Sequence, residues 1–298
     1  MRLSPQALRL LDTFALRAKR SFYGMRQGAH RSQRRGHGVE FAEYRQYEIG
    51  DNPRAIDWNL YSRSDKLYIK RYLEEENVAV YIVIDGSRSL THSALRIKWD
   101  LAASIASAAS YVALATQDPV MISVLGGPVS PRYWGGKAFA PLNQFLDQVS
   151  EIVVGDDSVE LDLPRESRSA AARVKFPGIC VFISDFLYPL EIVSEVLAPF
   201  RARNMEIHAV QLLTRAELEL EGEKSGAVLI DSETGATQGI EISQATSRRY
   251  SDLITRHNSQ VREHCLGARV LYTQAILEQG ETVEDRAIKT VGDMGLFV

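Results

Sequence analysis

Short apolar segments that alternate with helical patterns constrain the fold of this chain most strongly. The first segment, Val78–Ile84, is apolar at nearly every position, which is typical of a strand covered on both faces of its sheet. Three further strands are predicted at Val120–Leu125, Gly178–Ser184 and Met205–Leu213. The longest predicted helix, over residues 95–116, is rich in alanine and suits close approach to a sheet. This alternation predicts an α/β protein with a mostly parallel, doubly wound sheet and right-handed crossovers.

The strand–helix region separates two flanking segments. Residues 1–77 form an N-terminal extension with a turn-rich block, Gly50–Trp58, and an arginine-rich basic arm over residues 17–37. A short helix is predicted over Gln6–Lys19 and a half-exposed strand over Lys66–Tyr72. The predicted core covers residues 78–214. Residues 215–298 form a C-terminal segment with a predicted hairpin around the turn Glu233–Gly235, a helix and a strand at Arg269–Thr273. We expect this segment to pack on the core sheet or to extend it.

Composition narrows the class of protein. The formal net charge of −3 disfavours a dedicated nucleic-acid-binding protein, because binding to a phosphate backbone rests on positive charge. No uncharged apolar stretch approaches the ~18 residues that a membrane span needs. The N-terminus lacks the apolar centre of a signal peptide, and the two cysteines form neither a zinc spacing nor a disulfide framework. We therefore expect a cytoplasmic protein without a membrane span.

The motif D-x-S-x-S follows the first strand directly and places Asp85, Ser87 and Ser89 on one tight loop. Ser184 and Asp185 end another buried strand. Ligands of open α/β sheets bind outside the carboxyl ends of the strands. If the two strands are neighbours, their carboxylates and hydroxyls converge, and such hard oxygens suit Mg²⁺, with Mn²⁺ or Ca²⁺ as further candidates. The pattern predicts a metal-dependent adhesion site that serves binding rather than catalysis.

A structural interpretation of the same loop stays open. Aspartate and serine favour helix N-termini and turns, so Asp85 and the two serines would then only turn the chain and cap the helix near residue 95. In the absence of an ion, Asp85 and Asp185 would repel each other, and one of them would take up a proton.

The Gly50–Trp58 block also has two interpretations. Arg54 and Asp57 could form an ion pair on the turn, while Trp58 packs against the domain. As a buttress, the block would attach the N-terminal segment to the core. As a partner surface, Arg54, Asp57 and Trp58 would contact another protein. The buttress is favoured, because such a cluster satisfies its own hydrogen bonds and buries a large aromatic side chain.

Enzyme motifs are missing from the sequence. There is no G-x-S-x-G elbow and no G-x-x-x-x-G-K-[ST] loop, and the histidines show no metal-binding spacing. We therefore expect a protein without enzymatic activity. A Mg²⁺-dependent phosphohydrolase is the remaining enzyme alternative, although no nucleophile or base is evident.

Several blocks together carry a resemblance to a known family. They are Gly36–Tyr47, Gly50–Trp58, Arg63–Leu67, Asp85–Ser89, Ile183–Phe186 and Leu229–Gly235. The chain resembles the bacterial family called domain of unknown function 58, whose members look like von Willebrand factor A domains with extra flanking segments. The resemblance implies that fold here, with extra N- and C-terminal segments.

The same resemblance implies a partner and one more ligand. The implied partner is a MoxR-type AAA+ ATPase, with other von Willebrand factor A-containing proteins as further candidates, in a chaperone-like assembly or maturation role. Von Willebrand factor A domains normally add a threonine ligand from a second loop. The matching region is Gly155–Val159, where Ser158 would supply the hydroxyl.

Two functional hypotheses result. In the first, Mg²⁺ held by Asp85, Ser87, Ser89 and Asp185 accepts a carboxylate from a partner protein. In the second, the chain is a metal-free docking or scaffold protein, with the basic arm or the Gly50–Trp58 block as its contact surface.

Overall fold

The chain folds as two compact units. A computed structural model describes residues 3–13, 39–51, 53–74, 78–91, 96–153, 161–218, 224–230 and 237–295. The larger unit comprises Met1–Lys19 and Val78–Val298, and the smaller unit comprises Arg20–Asn77. The boundary thus differs from the expected extension over residues 1–77, because the first helix belongs to the larger unit.

The strands and helices of the described residues fall close to the predicted positions in the core. The strands are β1 (Val39–Gln46), β2 (Tyr68–Glu74), β3 (Ala79–Ile84), β4 (Val120–Val124), β5 (Gly178–Ser184), β6 (Glu206–Thr214), β7 (Lys224–Ile230), β8 (Thr237–Ile242) and β9 (Leu271–Leu277). The helices are α1 (Pro5–Leu11), α2 (Trp58–Ser64), α3 (Arg88–Thr91), α4 (Arg96–Ala115), α5 (Phe139–Val153), α6 (Leu163–Ala172), α7 (Leu190–Arg201), α8 (Arg215–Leu218), α9 (Gln244–Gly267) and α10 (Val283–Asp293).

The main sheet of the larger unit has five strands in the order β4-β3-β5-β6-β9, and each neighbouring pair is parallel. The predicted parallel α/β sheet is therefore confirmed. The predicted strand at Arg269–Thr273 begins slightly later, as β9, and pairs with β6. The C-terminal segment thus extends the core sheet.

Both faces of this sheet are covered by helices, as the apolar strands indicated. Along β3, Val80, Ile82 and Ile84 join a core cluster with buried residues of α1, α4, α5 and α10. Tyr81 and Val83 point to the other face and join residues of α6, α7 and α9. Because successive side chains of a strand alternate between faces, an apolar run without polar interruption is what two buried faces require.

Helix α1 shows why the first residues belong to the larger unit. Ser4 caps it by accepting a hydrogen bond from the Ala7 amide at 3.2 Å. Ala7 and Leu11 are buried in the cluster that also contains α4 and α10. The Tyr111 hydroxyl of α4 donates to Asp12 Oδ1 at 2.6 Å. The helix predicted over Gln6–Lys19 thus ends at Leu11, and residues 14–19 lie outside the described part.

The smaller unit is built on an antiparallel pair, β1 and β2, whose register shifts between Phe41 and Glu43. Strand β2 confirms the prediction of a strand over Lys66–Tyr72, whereas β1 was not predicted. A second antiparallel pair, β7 and β8, confirms the predicted hairpin of the C-terminal segment. Its expected turn, Glu233–Gly235, lies outside the described residues.

Across the ranges described above, no helix is long and apolar enough to cross a membrane.

Candidate functional site

Strands β3 and β5 lie side by side at the centre of the sheet, so the two predicted strand-end motifs meet. Ile84 pairs with Ile183, and the Asp85 amide donates to the Ile183 carbonyl at 2.9 Å. From β3 the chain crosses to β4 on one side, and β5 lies on the other side of β3. This reversal of direction is the switch point at which open α/β sheets bind ligands.

The loop after β3 is held in a tight turn that brings three oxygen-bearing side chains together. The Ser87 amide donates to Asp85 Oδ1 at 2.8 Å, and the hydroxyl oxygens of Ser87 and Ser89 are 3.0 Å apart. Gly86 is required here because a Cβ at this position would lie 2.0 Å from the Leu125 carbonyl oxygen. A residue with a side chain could not follow the same path without moving the backbone.

The same loop also starts the short helix α3, whereas the structural interpretation expected it to cap the helix near residue 95. Helix α3 begins at Arg88, and the amides of Leu90 and Thr91 donate to the Ser87 carbonyl at 3.0 and 3.1 Å. This contact uses the backbone of Ser87, and its hydroxyl remains next to that of Ser89. Turning the chain and presenting hydroxyl oxygens are therefore compatible in one loop.

The Asp85 carboxyl is buried in an environment that disfavours its negative charge. It has no exposed surface, and the Ser184 hydroxyl donates to its Oδ2 at 2.6 Å. Burial, and then the nearby Asp185 charge, raise the pKa of Asp85 from 3.8 to about 6, although the hydrogen bonds from Ser184 and Ser87 oppose this shift. The direction agrees with the predicted repulsion between Asp85 and Asp185. A cation placed at this loop would relieve the same unfavourable interaction.

Asp185 is engaged by a cation of the protein itself, which the sequence analysis missed. Lys98 Nζ lies 2.7 Å from Asp185 Oδ2 and 2.6 Å from Glu217 Oε1. The Lys98 side chain is only 1% exposed. Burial acts to lower the pKa of Lys98, but the charges of Asp185 and Glu217 outweigh it and raise that pKa.

The sequence did contain a signal for Lys98. It stands in α4 in helical register with Leu101, Ala102 and Ile105, all of which are buried. A lysine on the buried stripe of a helix needs a carboxylate partner, because unpaired charges are rarely buried. The identity of the two partners could not be inferred from this pattern.

The candidate donors for an ion are therefore not equivalent. Asp85 accepts hydrogen bonds from two neutral donors, the Ser87 amide at Oδ1 and the Ser184 hydroxyl at Oδ2. Asp185 accepts from the Leu187 amide at Oδ1, 3.2 Å away, and from the charged Lys98 ammonium at Oδ2. Within the described ranges, no group of three or more His, Cys, Asp or Glu side chains is arranged to hold a metal. The loop nevertheless fits a small hard cation, because it combines one carboxylate, disfavoured as a buried charge, with two hydroxyls.

Ser158, the predicted extra hydroxyl ligand, lies outside the described residues.

The Gly50–Trp58 block leads into α2 within the smaller unit. Asp57 caps α2, and its Oδ1 accepts from the amides of Asn59 and Leu60 at 2.9 and 3.1 Å. The expectation that Trp58 is buried is wrong: this side chain is 62% exposed. Helix α2 has only seven residues, and none of them is buried. Trp58 instead contacts the ring of Tyr61 edge-on, with centroids 6.1 Å apart.

Arg45 forms ion pairs with two acidic residues near the start of this block. Arg45 on β1 lies 2.6 Å from Asp51 Oδ1 and 3.1 Å from Glu48 Oε2. Arg54 belongs to a single 3₁₀ turn, Pro53–Ala55, and is exposed. The block is thus an exposed turn and a short capped helix.

Comparisons with known proteins place the chain among bacterial relatives. A family model described as "Protein of unknown function DUF58" matches residues 43–260. Uncharacterized protein Mb1516 of Mycobacterium bovis and Uncharacterized protein Rv1480 of Mycobacterium tuberculosis are each 24% identical to this chain over 258 residues, covering 86% of it and 80% of the relative.

Two solved structures share a weaker similarity. The conserved hypothetical protein BatB from Bacteroides thetaiotaomicron aligns with a TM-score of 0.42 and 12% identity, over 73% of this chain and 98% of that one. An aerotolerance-related membrane protein from Bacteroides fragilis aligns with a TM-score of 0.40 and 11% identity, also over 73% and 98%.

Proposed function

The chain belongs to the DUF58 family of proteins of unknown function, and we propose that it is a non-enzymatic protein-interaction module with a von Willebrand factor A-like fold. Its loop Asp85–Ser89 binds an acidic side chain of a partner protein with the help of a divalent cation, Mg²⁺ in the first instance. The partner is a MoxR-type AAA+ ATPase, and the role is chaperone-like assembly or maturation.

One observation carries this proposal. The carboxylate of Asp85 and the hydroxyls of Ser87 and Ser89 lie on a single turn at the switch point of a five-stranded parallel sheet. Ligand sites of open α/β sheets occur at this position, and Mg²⁺ prefers oxygen donors of this kind. The turn follows a strand buried on both faces, so its position is rigidly supported.

Each residue has a defined part in the proposed binding. Asp85 supplies the carboxylate oxygen, and Ser87 and Ser89 supply the hydroxyl oxygens. Ser184 orients the Asp85 carboxyl through the hydrogen bond to Oδ2. A bound Mg²⁺ supplies an open coordination position for the partner's Asp or Glu.

Calorimetry with Mg²⁺, Mn²⁺ and Ca²⁺ tests the ion. The wild-type protein is expected to release or absorb heat on titration, and Asp85→Asn to lose this signal, because the substitution removes the carboxylate. Asp118→Asn is the matched control, since Asp118 is also a buried carboxyl whose pKa burial raises to about 6, and it should bind like wild type. If none of the three proteins gives a heat signal on titration with these ions, the metal-dependent function is refuted.

Binding of the partner is tested with purified proteins. The complex with the cognate MoxR-type ATPase should form in MgCl₂ and dissociate in EDTA, because the ion connects the two carboxylates. Asp85→Asn should fail to bind even in MgCl₂, whereas Asp118→Asn should bind. A complex that survives EDTA would exclude an ion between the two proteins.

That outcome would favour a second candidate function, a metal-free docking protein. The supporting observation is the exposed aromatic pair of α2, with Trp58 62% and Tyr61 38% exposed, beside the exposed Arg54. Arg54, Asp57 and Trp58 would then belong to the contact surface, with Asp57 keeping the helix in place. Trp58→Ser should abolish this EDTA-resistant binding, while Leu266→Ser, at another exposed apolar position (55%), should leave it unchanged.

A further inference from the structure

Lys98 is an ammonium group fixed between two carboxylates next to the candidate ion site. Its Nζ contacts Asp185 at 2.7 Å and Glu217 at 2.6 Å. Glu217 is held in turn, because its Oε2 accepts from the amide and hydroxyl of Thr214 at 2.8 and 2.9 Å. The ammonium is therefore clamped by groups that are themselves restrained.

Burying such a group is costly unless its charge is compensated. Asp185 has no exposed surface, Lys98 is 1% exposed and Glu217 is 18% exposed. The three charges thus stabilise one another almost without solvent. At the same time, Lys98 compensates the charge of Asp185, the carboxylate that follows the strand beside Asp85.

We propose that Lys98 is a built-in cation that occupies Asp185 and thereby sets a low affinity of the Asp85–Ser89 loop for divalent ions. Lys98 is a positioning residue in this scheme: it keeps the Asp185 carboxylate away from the ion and compensates the negative charge of that carboxylate. The inference rests on the proposed function, since it concerns the ion of that same site. Because the ion alone then binds weakly, it would be held stably only when a carboxylate of the partner protein also binds it.

The test compares ion affinities rather than stability alone. In Lys98→Met the Asp185 carboxylate is released and its charge is no longer compensated, so Mg²⁺ and Mn²⁺ should bind about tenfold tighter or more, because an additional carboxylate charge next to Asp85 attracts a cation. A lysine with a purely structural role would not yield a gain of affinity when it is removed. Calorimetry gives the affinity, and the rise of the unfolding temperature with MgCl₂ gives an independent measure.

Lys98→Met/Asp185→Asn is the matched control. It removes the ammonium and one carboxylate together, so the net charge of the cluster is kept. Its affinity should stay within about threefold of wild type, because Lys98 already withholds Asp185 from the ion in the wild-type protein. A loss of binding in this variant would show that Asp185 holds the ion despite Lys98, and would overturn the inference.

Lys98→Met leaves the buried carboxylate of Asp185 and the half-buried one of Glu217 without their cation, so folding is checked by circular dichroism with and without MgCl₂. If it does not fold, the double variant Lys98→Met/Glu217→Gln replaces it in the test. This variant removes the carboxylate charge of Glu217 together with the ammonium of Lys98 and still releases Asp185. This variant is likewise expected to bind Mg²⁺ more tightly than wild type, and equal or weaker binding would overturn the inference.

The outcomes separate the inference from the proposed function. If wild type binds Mg²⁺ and removal of Lys98 brings no gain, the inference fails and the proposed function stands. If wild type is silent and the Lys98 variants bind, Lys98 takes the ion's place, and only the metal-dependent function of the wild-type protein fails. If neither wild type nor any variant binds Mg²⁺, both the inference and the proposed metal-dependent function are refuted.

Discussion

The Ser184 hydroxyl on β5 donates a hydrogen bond to the Asp85 carboxylate at the end of β3, at 2.6 Å and without solvent exposure of either residue. The contact joins two neighbouring strands at the point where both open into loops. Ser184 also accepts from the Phe186 amide at 2.9 Å, so one side chain orders both loops.

Ser184→Ala should lower the free energy of unfolding by about 1–3 kcal/mol, because the buried carboxyl of Asp85 and the Phe186 amide each lose a partner. Denaturant unfolding measures the loss. Ser110→Ala is the control: its buried hydroxyl donates only to a carbonyl of its own helix, Ala106, so a change within about 0.5 kcal/mol is expected. Equal effects of the two substitutions would contradict a special role of Ser184.

Gly86→Ala should destabilise the protein by more than about 2 kcal/mol, because the new Cβ would lie 2.0 Å from the Leu125 carbonyl oxygen, which belongs to the backbone. Thermal unfolding provides the measurement. Gly136→Ala offers the comparison, since a Cβ there meets nothing within 4 Å, and it should be neutral or slightly stabilising. Unchanged stability of Gly86→Ala would show that the loop has room to move.

Asp118→Asn should change the pH dependence of stability between pH 4 and 6. Burial raises the pKa of Asp118 from 3.8 to about 6, despite its hydrogen bonds from Thr116 and Val78. The folded protein then binds more protons than the unfolded chain in this window, so this carboxyl makes stability fall as pH rises from 4 to 6. The cost at neutral pH is roughly 3 kcal/mol.

Asparagine cannot titrate, so the difference in unfolding free energy between the variant and wild type should itself depend on pH. Relative to wild type, Asp118→Asn should gain stability as the pH rises from 4 to 6. Denaturant unfolding at several pH values measures the difference. A constant difference over that window would mean that Asp118 ionises as easily in the folded as in the unfolded chain.

Arg269→Gly should raise the free energy of unfolding by about 0.5–1 kcal/mol. Arg269 follows the end of α9 with a φ of 59°, a left-handed conformation in which a residue without Cβ is favoured. Its side chain is exposed, so little contact is lost. Arg269→Ala keeps the unfavourable Cβ and should bring no gain, which distinguishes the backbone effect from removal of the arginine charge.

Much of the core could be predicted because its signals are local. The apolar run before Asp85 predicted a strand buried on both faces, and β3 is such a strand. The alanine-rich pattern over residues 95–116 predicted α4 to within one residue at each end. Strand β1 was missed, because its antiparallel partner β2 lies far along the chain and its own pattern is mixed. Trp58 was wrongly expected to be buried, since the sequence does not tell how short and exposed α2 is.

The sequence by itself determined the parallel α/β sheet and the position of the D-x-S-x-S loop, because strand periodicity and turn chemistry depend on residues close together in the chain. Only the tertiary structure decided what surrounds that loop. Lys98 meets Asp185 across 87 residues and Glu217 across 119. Such pairs form because the fold brings α4, the end of β5 and α8 together, where buried charges must compensate one another, and no local pattern specifies which charges will meet.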